Sequence, residues 1–450
     1  MNYKEAIIYL EKRKKINFGL QRIKKVLHFF NFPEKELKII HITGTKGKGS
    51  VSNFTNSILQ NSNYKIGLFT SPYFLNIRAS IKINEKPISC NKFTFYVEKI
   101  KEASSSIKTE LTFFEILTVI AILFFQEKKI DIAIFEVGMG GRRDATNCLN
   151  SIISVITNVD YEHQKFLGKS LSEIALEKSG IIKKENIVIT GINQKKPLDI
   201  IKKVCCEKNA KLINFHKNYK WQIKNFNQKF QKFNLIREKY EYKNLQIFLL
   251  GESQIINASF AIAIIENLKK IGYKISITSI RKGLKNTYLP GRLEIISKKP
   301  LIIFDGAHTS LSIKNLKQSL EKYFNYKNLI LVFGIQKDKL YTKILKEIFP
   351  LAKKIILTKS THENALFPEI LYKEIHLLSV KCKESFHQNK LIINKKNVVI
   401  FTNPQKAFSY GCSIIGKNDC LCIAGSLYLI ADCMKYFLKK YGENKNWQNF

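Results

Sequence analysis

No two of the nine cysteines stand in a C-x-x-C spacing, and their number is odd. This excludes a disulfide framework and the common zinc-ligand spacings, and leaves Cys90, Cys148, Cys205, Cys206, Cys382, Cys412, Cys420, Cys422 and Cys433 as small buried hydrophobes in a reducing compartment. Long apolar runs are also missing. The most apolar stretch, Leu111 to Phe125, is too short to cross a bilayer and carries Thr112, Glu115 and Thr118, so a buried helix is expected there. Met1 to Lys15 mixes both signs of charge along a helical pattern, without the basic end and apolar block of a secretory signal, so a soluble cytoplasmic protein without a membrane partner is expected. Acidic residues are scarce, 36 against 75 basic ones, for a formal net charge of +39. Such an excess ordinarily points to nucleic acid. Here the lysines are scattered among many Ile, Asn and Phe residues, as AT-rich coding produces, so no nucleic-acid partner is expected. A basic surface would still concentrate acidic ligands such as nucleotides and polycarboxylates.

What is present is an alternation. The chain of 450 residues is long enough for two domains. From Leu37 to about Ile192, short apolar runs at Tyr64 to Thr70, Ile130 to Val137, Ser151 to Val159 and Asn186 to Ile192 alternate with helical patterns, which predicts a largely parallel sheet covered by helices. Between Lys211 and Leu250 closely spaced strand-like runs at Tyr219 to Ile223, Lys232 to Ile236 and Leu245 to Leu250 predict a small antiparallel patch. Helices are expected at Gln254 to Leu268 and Ile277 to Asn286. Pro290-Gly291 then marks a boundary. Beyond it, strands at Leu301 to Phe304, Leu329 to Phe333, Lys354 to Leu357, Val398 to Phe401 and Cys420 to Ile423 alternate with helices such as Ile313 to Tyr323. The fold class expected is therefore α/β, with domains over residues 1–290 and 291–450. There is no internal repeat and no low-complexity linker, and Gly442 to Phe450 reads as a frayed tail.

The densest chemical signal is His41-Ile42-Thr43-Gly44-Thr45-Lys46-Gly47-Lys48-Gly49-Ser50, a glycine-rich turn after an apolar strand (Leu37 to Ile42) and before a helical pattern (Ser50 to Gln60). Glycines let the backbone approach an anion, and the N–H groups of the turn and the following helix N-terminus can cradle phosphates. Lys48 adds a point charge, and Ser50 a hydroxyl for magnesium. The spacing departs from the standard P-loop, which would place glycine at Ile42 and Ser or Thr directly after Lys48, where Gly49 stands.

Three further segments belong with this turn. Glu136 closes an apolar strand and precedes Val137-Gly138-Met139-Gly140-Gly141-Arg142-Arg143-Asp144-Ala145-Thr146-Asn147, at the sheet edge where open α/β folds bind ligands. A carboxylate there suits magnesium, which prefers oxygen ligands. His163 follows the strand ending near Val159 and leaves the same edge, where a metal or phosphate role competes with an ordinary loop histidine. Lys178 lies near a helix end marked by Gly180. By itself it reads as a C-terminal helix lysine interacting with the dipole.

The order and wording of these segments resemble the folylpolyglutamate synthase and dihydrofolate synthase family of Mur-type ATP-dependent amide ligases. The resemblance also takes in Phe18-Gly19-Leu20-Gln21-Arg22-Ile23, Thr70-Ser71-Pro72, Leu111 to Glu115, Leu167-Gly168, Ile174 to Ile182, Gln254 with Asn257-Ala258, Pro290 to Glu294, Asp305-Gly306-Ala307-His308, Phe333-Gly334 with Asp338-Lys339, and Gly425 to Tyr428. In this family the turn carries a glycine between the lysine and the Ser or Thr. The resemblance implies a P-loop-containing central domain and a smaller Rossmann-like C-terminal glutamate-ligase domain. It implies that Lys48 and the backbone of Gly44, Thr45, Lys46, Gly47 and Gly49 hold the ATP phosphates. Ser50 and Glu136 would lie on one Mg²⁺, with Ser71, Glu136 and His163 near a second. Lys178 would carry a carbamate, and Asn257, Arg292, Asp305 and His308 would contact ATP. Lys48, Glu136, His163 and Lys178 are the expected catalytic set. The implied activity adds L-glutamate to a folate or dihydropteroate carboxylate through an acyl phosphate, in a monomer acting on small molecules.

Several positions leave the family pattern. Tyr73 replaces the usual His after Ser71-Pro72, Arg78-Ala79-Ser80-Ile81 lacks an acid and a second arginine, and Glu162 replaces Asp before His163. Ser253 replaces His, Thr309-Ser310 replaces Asn-Pro, and Asn364 stands where arginine is frequent. The phosphate and metal positions are intact, so these departures weigh on the acceptor more than on ATP use. A related Mur-type ligase with a different acceptor, and a basic nucleic-acid-binding protein on a nucleotide fold, are the competing expectations.

Overall fold

Five consecutive buried residues, Ile39–Thr43, form strand β1, and a strand with no exposed face belongs inside a parallel sheet with helices on both sides. The structure, a computed structural model, describes residues 1–237, 240–384 and 397–441, with side chains described except at 378–384 and 441. The expected tail at Gly442 to Phe450 lies outside the described residues. The chain divides into two compact units, one of Met1–Lys224, Lys232–Ile247 and Ser253–Thr287, the other of Asn225–Gln231, Phe248–Glu252 and Tyr288–Phe450.

In the first unit β1 is followed by β2 (Ile66–Phe69), β3 (Ile81–Ile83), β4 (Lys86–Pro87), β5 (Ile132–Glu136), β6 (Ser151–Ile156), β7 (Ile187–Thr190) and β8 (Lys211–Asn214). They form one eight-stranded sheet in the order β4-β3-β2-β5-β1-β6-β7-β8. The four pairings from β2 across to β7 and the β7–β8 pairing are parallel, and only the β3 and β4 edge is antiparallel. That edge hairpin escaped the sequence, because strands of three and two residues carry too short a pattern. The predicted parallel sheet is otherwise present, and β1 lies where the strand order turns from one side to the other, the place where such sheets bind ligands. The apolar stretch after Leu111 is the helix Phe113–Glu127, buried along nearly its whole length. Thr112 and Glu115 begin it with a reciprocal capping box. Among the described residues no helix is long and apolar enough to cross a membrane.

Strands β9 (Lys220–Phe226), β10 (Gln231–Arg237) and β11 (Tyr240–Ile247) form a separate three-stranded sheet in sequence order. Connections this short allow only antiparallel neighbours, so the small patch forms as expected. Glu266, from the helix Glu252–Lys270, accepts hydrogen bonds from Tyr219, Tyr242 and Arg237 beneath it.

The second unit holds a six-stranded sheet of β12 (Glu294–Lys298), β13 (Leu301–Asp305), β14 (Leu329–Phe333), β15 (Ala352–Leu357), β16 (Val398–Ile400) and β17 (Cys420–Ala424), in the order β12-β13-β17-β14-β15-β16. Its core joins Leu331, Phe333, Ile355 and Cys422 to the helices Ser310–Tyr323 and Tyr341–Ile348. The sheet is mixed instead of purely parallel, since β12 runs antiparallel to β13. The half-buried residues of β12 gave no continuous apolar run to read. The reading of every cysteine as buried is corrected, for Cys90, Cys148 and Cys412 are half-buried, the side chain of Cys382 lies outside the described residues, and the largest departure is Cys206. It is exposed while Cys205 is buried, because neighbours on the helix Lys195–Glu207 point about 100° apart.

Candidate functional site

Three segments leave the carboxyl edge of the first unit's sheet side by side: the turn after β1, the loop after β5 and the loop after β6. Gly44 and Gly47 take φ values of +147° and +85°, a region in which side chains are strained. Close packing adds a second demand, because a Cβ on Gly44 would stand 1.9 Å from Thr157 Oγ1 and one on Gly47 2.4 Å from Asn257 Oδ1. The turn is braced from the β6 side. The Lys46 N–H donates to Asn158 Oδ1 at 2.9 Å, the Thr45 N–H donates to the Asn158 carbonyl, and Thr157 Oγ1 donates to the Lys46 carbonyl at 2.5 Å. Lys48 begins the helix Lys48–Gln60, with Gly47 as N-cap, and its Nζ donates to the Gly44 carbonyl at 2.8 Å. The helix thus starts with its N–H groups toward the turn, the arrangement that holds an anion.

Glu136 is the last residue of β5 and is paired in register with Ile42, so its buried carboxylate comes beside the turn. A Cβ on Gly49 would stand 3.4 Å from Glu136 Oε2, and the Ser71 N–H donates to the same oxygen at 3.3 Å. Glu136, Ser71 and the start of the Ser50 helix are therefore brought together as the sequence led one to expect. Among the described residues no three His, Cys, Asp or Glu side chains group to hold an ion alone. The donors here, one carboxylate with serine hydroxyls, suit magnesium, which takes few protein ligands and completes its shell with water and phosphate oxygens.

Lys178 departs most from its local reading. It lies in the helix Leu171–Ser179 ahead of C-cap Gly180, but it is fully buried, and Nζ donates to Glu162 Oε1 at 2.5 Å. Burial pushes the ammonium down to about 8, and Lys48 adds to that fall while Glu162 opposes it. Burial also raises the Glu162 carboxyl, but Lys178, Lys48 and the neighbouring His163 outweigh it and hold the group well below the usual carboxylate range. Lys48, Glu162, His163 and Lys178 thus form one electrostatic neighbourhood. Gly180 is not the left-handed cap that glycine usually signals, for its φ is −59°. Glycine is needed instead because a Cβ would come within 2.3 Å of Arg142 Cα.

Sequence reasoning passed over the braces. Thr157, Asn158 and Asp160 directly follow β6, and that position at the carboxyl edge was the available signal. Asp144 was also missed. It accepts from the Met139 and Thr146 N–H groups and from Thr146 Oγ1, while Thr146 Oγ1 in turn lies 2.8 Å from His41 Nε2 on β1. Burial drives His41 down to about 3, so the ring is neutral and Nε2 carries the hydrogen given to Thr146.

Asn257 belongs to the first unit and packs on Gly47. Arg292, Asp305 and His308 belong to the second. Burial pushes the Asp305 carboxyl up and Arg292 pulls it down, while the Leu293 and Ala307 N–H groups donate to it. His308 Nδ1 lies 2.7 Å from the Gly306 carbonyl, which can only accept, so the hydrogen is on Nδ1.

The glycine turn, the strand-end carboxylate and the buried lysine all belong to the unit built on the parallel sheet, and the comparisons show the class of protein, a Mur-type ligase. Residues 42–265 match the Mur ligase middle domain and residues 291–427 the Mur ligase glutamate ligase domain. The chain belongs to the dihydrofolate synthase/folylpolyglutamate synthase family, being 31% identical over 445 residues to the Bacillus subtilis protein of that name, across 96% of this chain and 98% of that one. A folylpolyglutamate synthase structure from Thermotoga maritima is 31% identical with a TM-score of 0.80 over 99% of each chain. An FPGS–AMPPCP–folate complex is 25% identical with a TM-score of 0.81, over 97% of this chain and 100% of that one.

Proposed function

We propose that this chain is an ATP-dependent ligase that adds L-glutamate to reduced folates and to dihydropteroate. The observation that carries the reading is the Gly44 to Ser50 turn set against Glu136, with Lys178 buried on Glu162 in the same unit. Residues 1–290 would serve ATP binding and residues 291–450 would form the glutamate-ligase domain. The small-molecule substrates require neither nucleic acid nor a membrane, a monomer suffices, and ATP and glutamate place the reaction in the cytoplasm.

A carboxylate repels nucleophiles and carries a poor leaving group. Transfer of the ATP γ-phosphoryl group to the acceptor carboxylate gives an acyl phosphate, and the glutamate amine then displaces phosphate to form the amide. Lys48 and the N–H groups from Gly44 to Gly49 hold the β- and γ-phosphates, and Asn257, Arg292, Asp305 and His308 contact ATP. Ser50 and Glu136 would hold one Mg²⁺, and Ser71, Glu136 and His163 a second. When bound there, the metal supplies charge neutralisation on the phosphates. Lys178 serves as a carbamate, for which its lowered pKa supports a supply of neutral amine.

Purified protein given ATP, Mg²⁺, glutamate and either dihydropteroate or tetrahydrofolate should release phosphate and yield product one glutamate heavier. Product from neither acceptor overturns the reading, and product from another carboxylate in an acceptor screen assigns a different Mur-type specificity. Glu136→Gln tests the metal position. Its amide oxygen can still accept from the Ser71 N–H, so the melting temperature should hold while turnover drops roughly a hundredfold. Unchanged turnover across a Mg²⁺ titration would remove Glu136 from the metal.

A further inference from the structure

A leucine in the left-handed region stands near the start of the second unit. Leu293 takes a φ of +48°, two residues after Gly291 at +67°, and a branched side chain stays in that region only where its surroundings fix it. Two carboxylates do so. Asp305 Oδ2 accepts from the Leu293 N–H at 2.8 Å, and Glu294 Oε2 accepts from the Gly291 N–H at 2.8 Å. The other Glu294 oxygen, Oε1, accepts from the Tyr288 hydroxyl at 2.5 Å. Glu294 opens β12, where it is paired with Phe304 on β13, so the turn from Tyr288 to Leu293 is clasped by a residue that the sheet itself holds. The Gly291 carbonyl in turn accepts from the Gly306 N–H at 2.8 Å and from Arg292 Nη1 at 3.2 Å. A Cβ on Gly306 would stand 2.6 Å from that same Nη1, so the guanidinium lies directly against the backbone to which Gly291 is bound.

Both oxygens of Glu294 accept from neutral donors, and those two donors lie on either side of the Pro290 corner. Its use is therefore geometric. We propose that Glu294, braced by the Tyr288 hydroxyl, is a positioning residue that sets Arg292 for the nucleotide. This rests on the reading of Arg292 as an ATP contact. A guanidinium binds phosphate best when its planar fork is aimed beforehand, because an arginine that must be ordered on binding gives up part of the contact in lost side-chain freedom. Glu294 removes that loss by fixing the Gly291 carbonyl on which Arg292 Nη1 rests. Tyr288 contributes a single hydroxyl to the same end, from a side chain that is otherwise 65% exposed.

The test is calorimetric titration with ATP and Mg²⁺, without acceptor, so that it does not depend on which carboxylate the enzyme uses. Glu294→Ala releases the turn and should weaken ATP roughly tenfold, the loss of about one well-aimed charged contact. Glu294→Gln should recover most of that affinity, since its amide oxygen still accepts from the Gly291 N–H and its NH₂ can donate to the Tyr288 oxygen. In an Arg292→Ala background, Glu294→Ala should bring no further loss, because the carboxylate acts only through the arginine. Unchanged affinity in Glu294→Ala, an equal loss in Glu294→Gln, or an undiminished further loss in the Arg292→Ala background each overturns the proposal. Tyr288→Phe decides the matter if Glu294→Ala does not fold. It removes one hydroxyl from a largely exposed side chain, so the melting temperature should hold while ATP weakens roughly threefold, and unchanged affinity there overturns the proposal. The two possible failures are distinct. A loss in Arg292→Ala with none in the Glu294 and Tyr288 variants overturns the positioning role alone, whereas unchanged affinity in Arg292→Ala removes Arg292 from the nucleotide and takes the proposal with it.

Discussion

Lys178→Ala is expected to reduce ligase turnover by roughly a thousandfold, on the order of removing a group that orients charge in phosphoryl transfer, and added acetate should restore part of it. A carbamate forms when a neutral amine attacks CO₂, so the lysine must give up its proton first. With its pKa pushed down to about 8 by burial, roughly a tenth of Lys178 is neutral at pH 7, whereas an ordinary lysine is neutral only a few times in ten thousand. Adding CO₂ to the neutral amine releases a further proton, so at fixed CO₂ pressure the modified fraction should rise with pH, most steeply below about 8 and less steeply above it, until every Lys178 is modified. A ¹³C-labelled carbonyl signal from bicarbonate should follow that course and be absent from the variant. The substitution also strands the Glu162 carboxylate, since a buried pair that loses one member leaves an uncompensated charge. The double variant Lys178→Ala, Glu162→Gln separates the two effects. It should regain melting temperature without regaining turnover, and turnover near the unmodified level in either variant would remove Lys178 from the chemistry.

Gly44→Ala should be nearly as damaging, but through the backbone. The new Cβ would fall 1.9 Å from Thr157 Oγ1 and 3.2 Å from the Asn158 N, at a φ of +147°. Thr157 cannot retreat cheaply, because its hydroxyl already binds the Lys46 carbonyl. The turn must therefore open. Strain and overpacking together should cost about 2–4 kcal/mol of stability, and ATP affinity should fall roughly a hundredfold as the N–H groups lose their common focus. Gly272→Ala is the control, since that glycine also has positive φ but would meet nothing within 4 Å. Chemical denaturation and nucleotide titration of the two variants check both numbers. Equal losses would mean that backbone strain alone, and not the packing against β6, shapes the turn.

Much of this was legible in the chain. A strand with no polar face, a glycine turn and a helical pattern after it depend only on neighbouring residues, so the run from Ile39 to Gln60 declares its own structure. Glu136 and His163 could be placed at the same edge because successive parallel strands end on the same side. The antiparallel edge strand β12 and the short β3 and β4 hairpin could not be read, for they are half-buried or too short to carry a period.

The sequence by itself determined the alternation of strands and helices apart from β3, β4 and β12, the glycine-rich turn and the wording of a Mur-type ligase, because each rests on residues a few positions apart. Only the tertiary structure decided that Lys178 is buried against Glu162 instead of lying on a helix end, that Asn158 and Thr157 brace the turn, and that Gly180 exists to admit Arg142. Those contacts join segments separated by as many as 112 residues. Their energies depend on which strands become neighbours in the sheet, and no local periodicity encodes that choice.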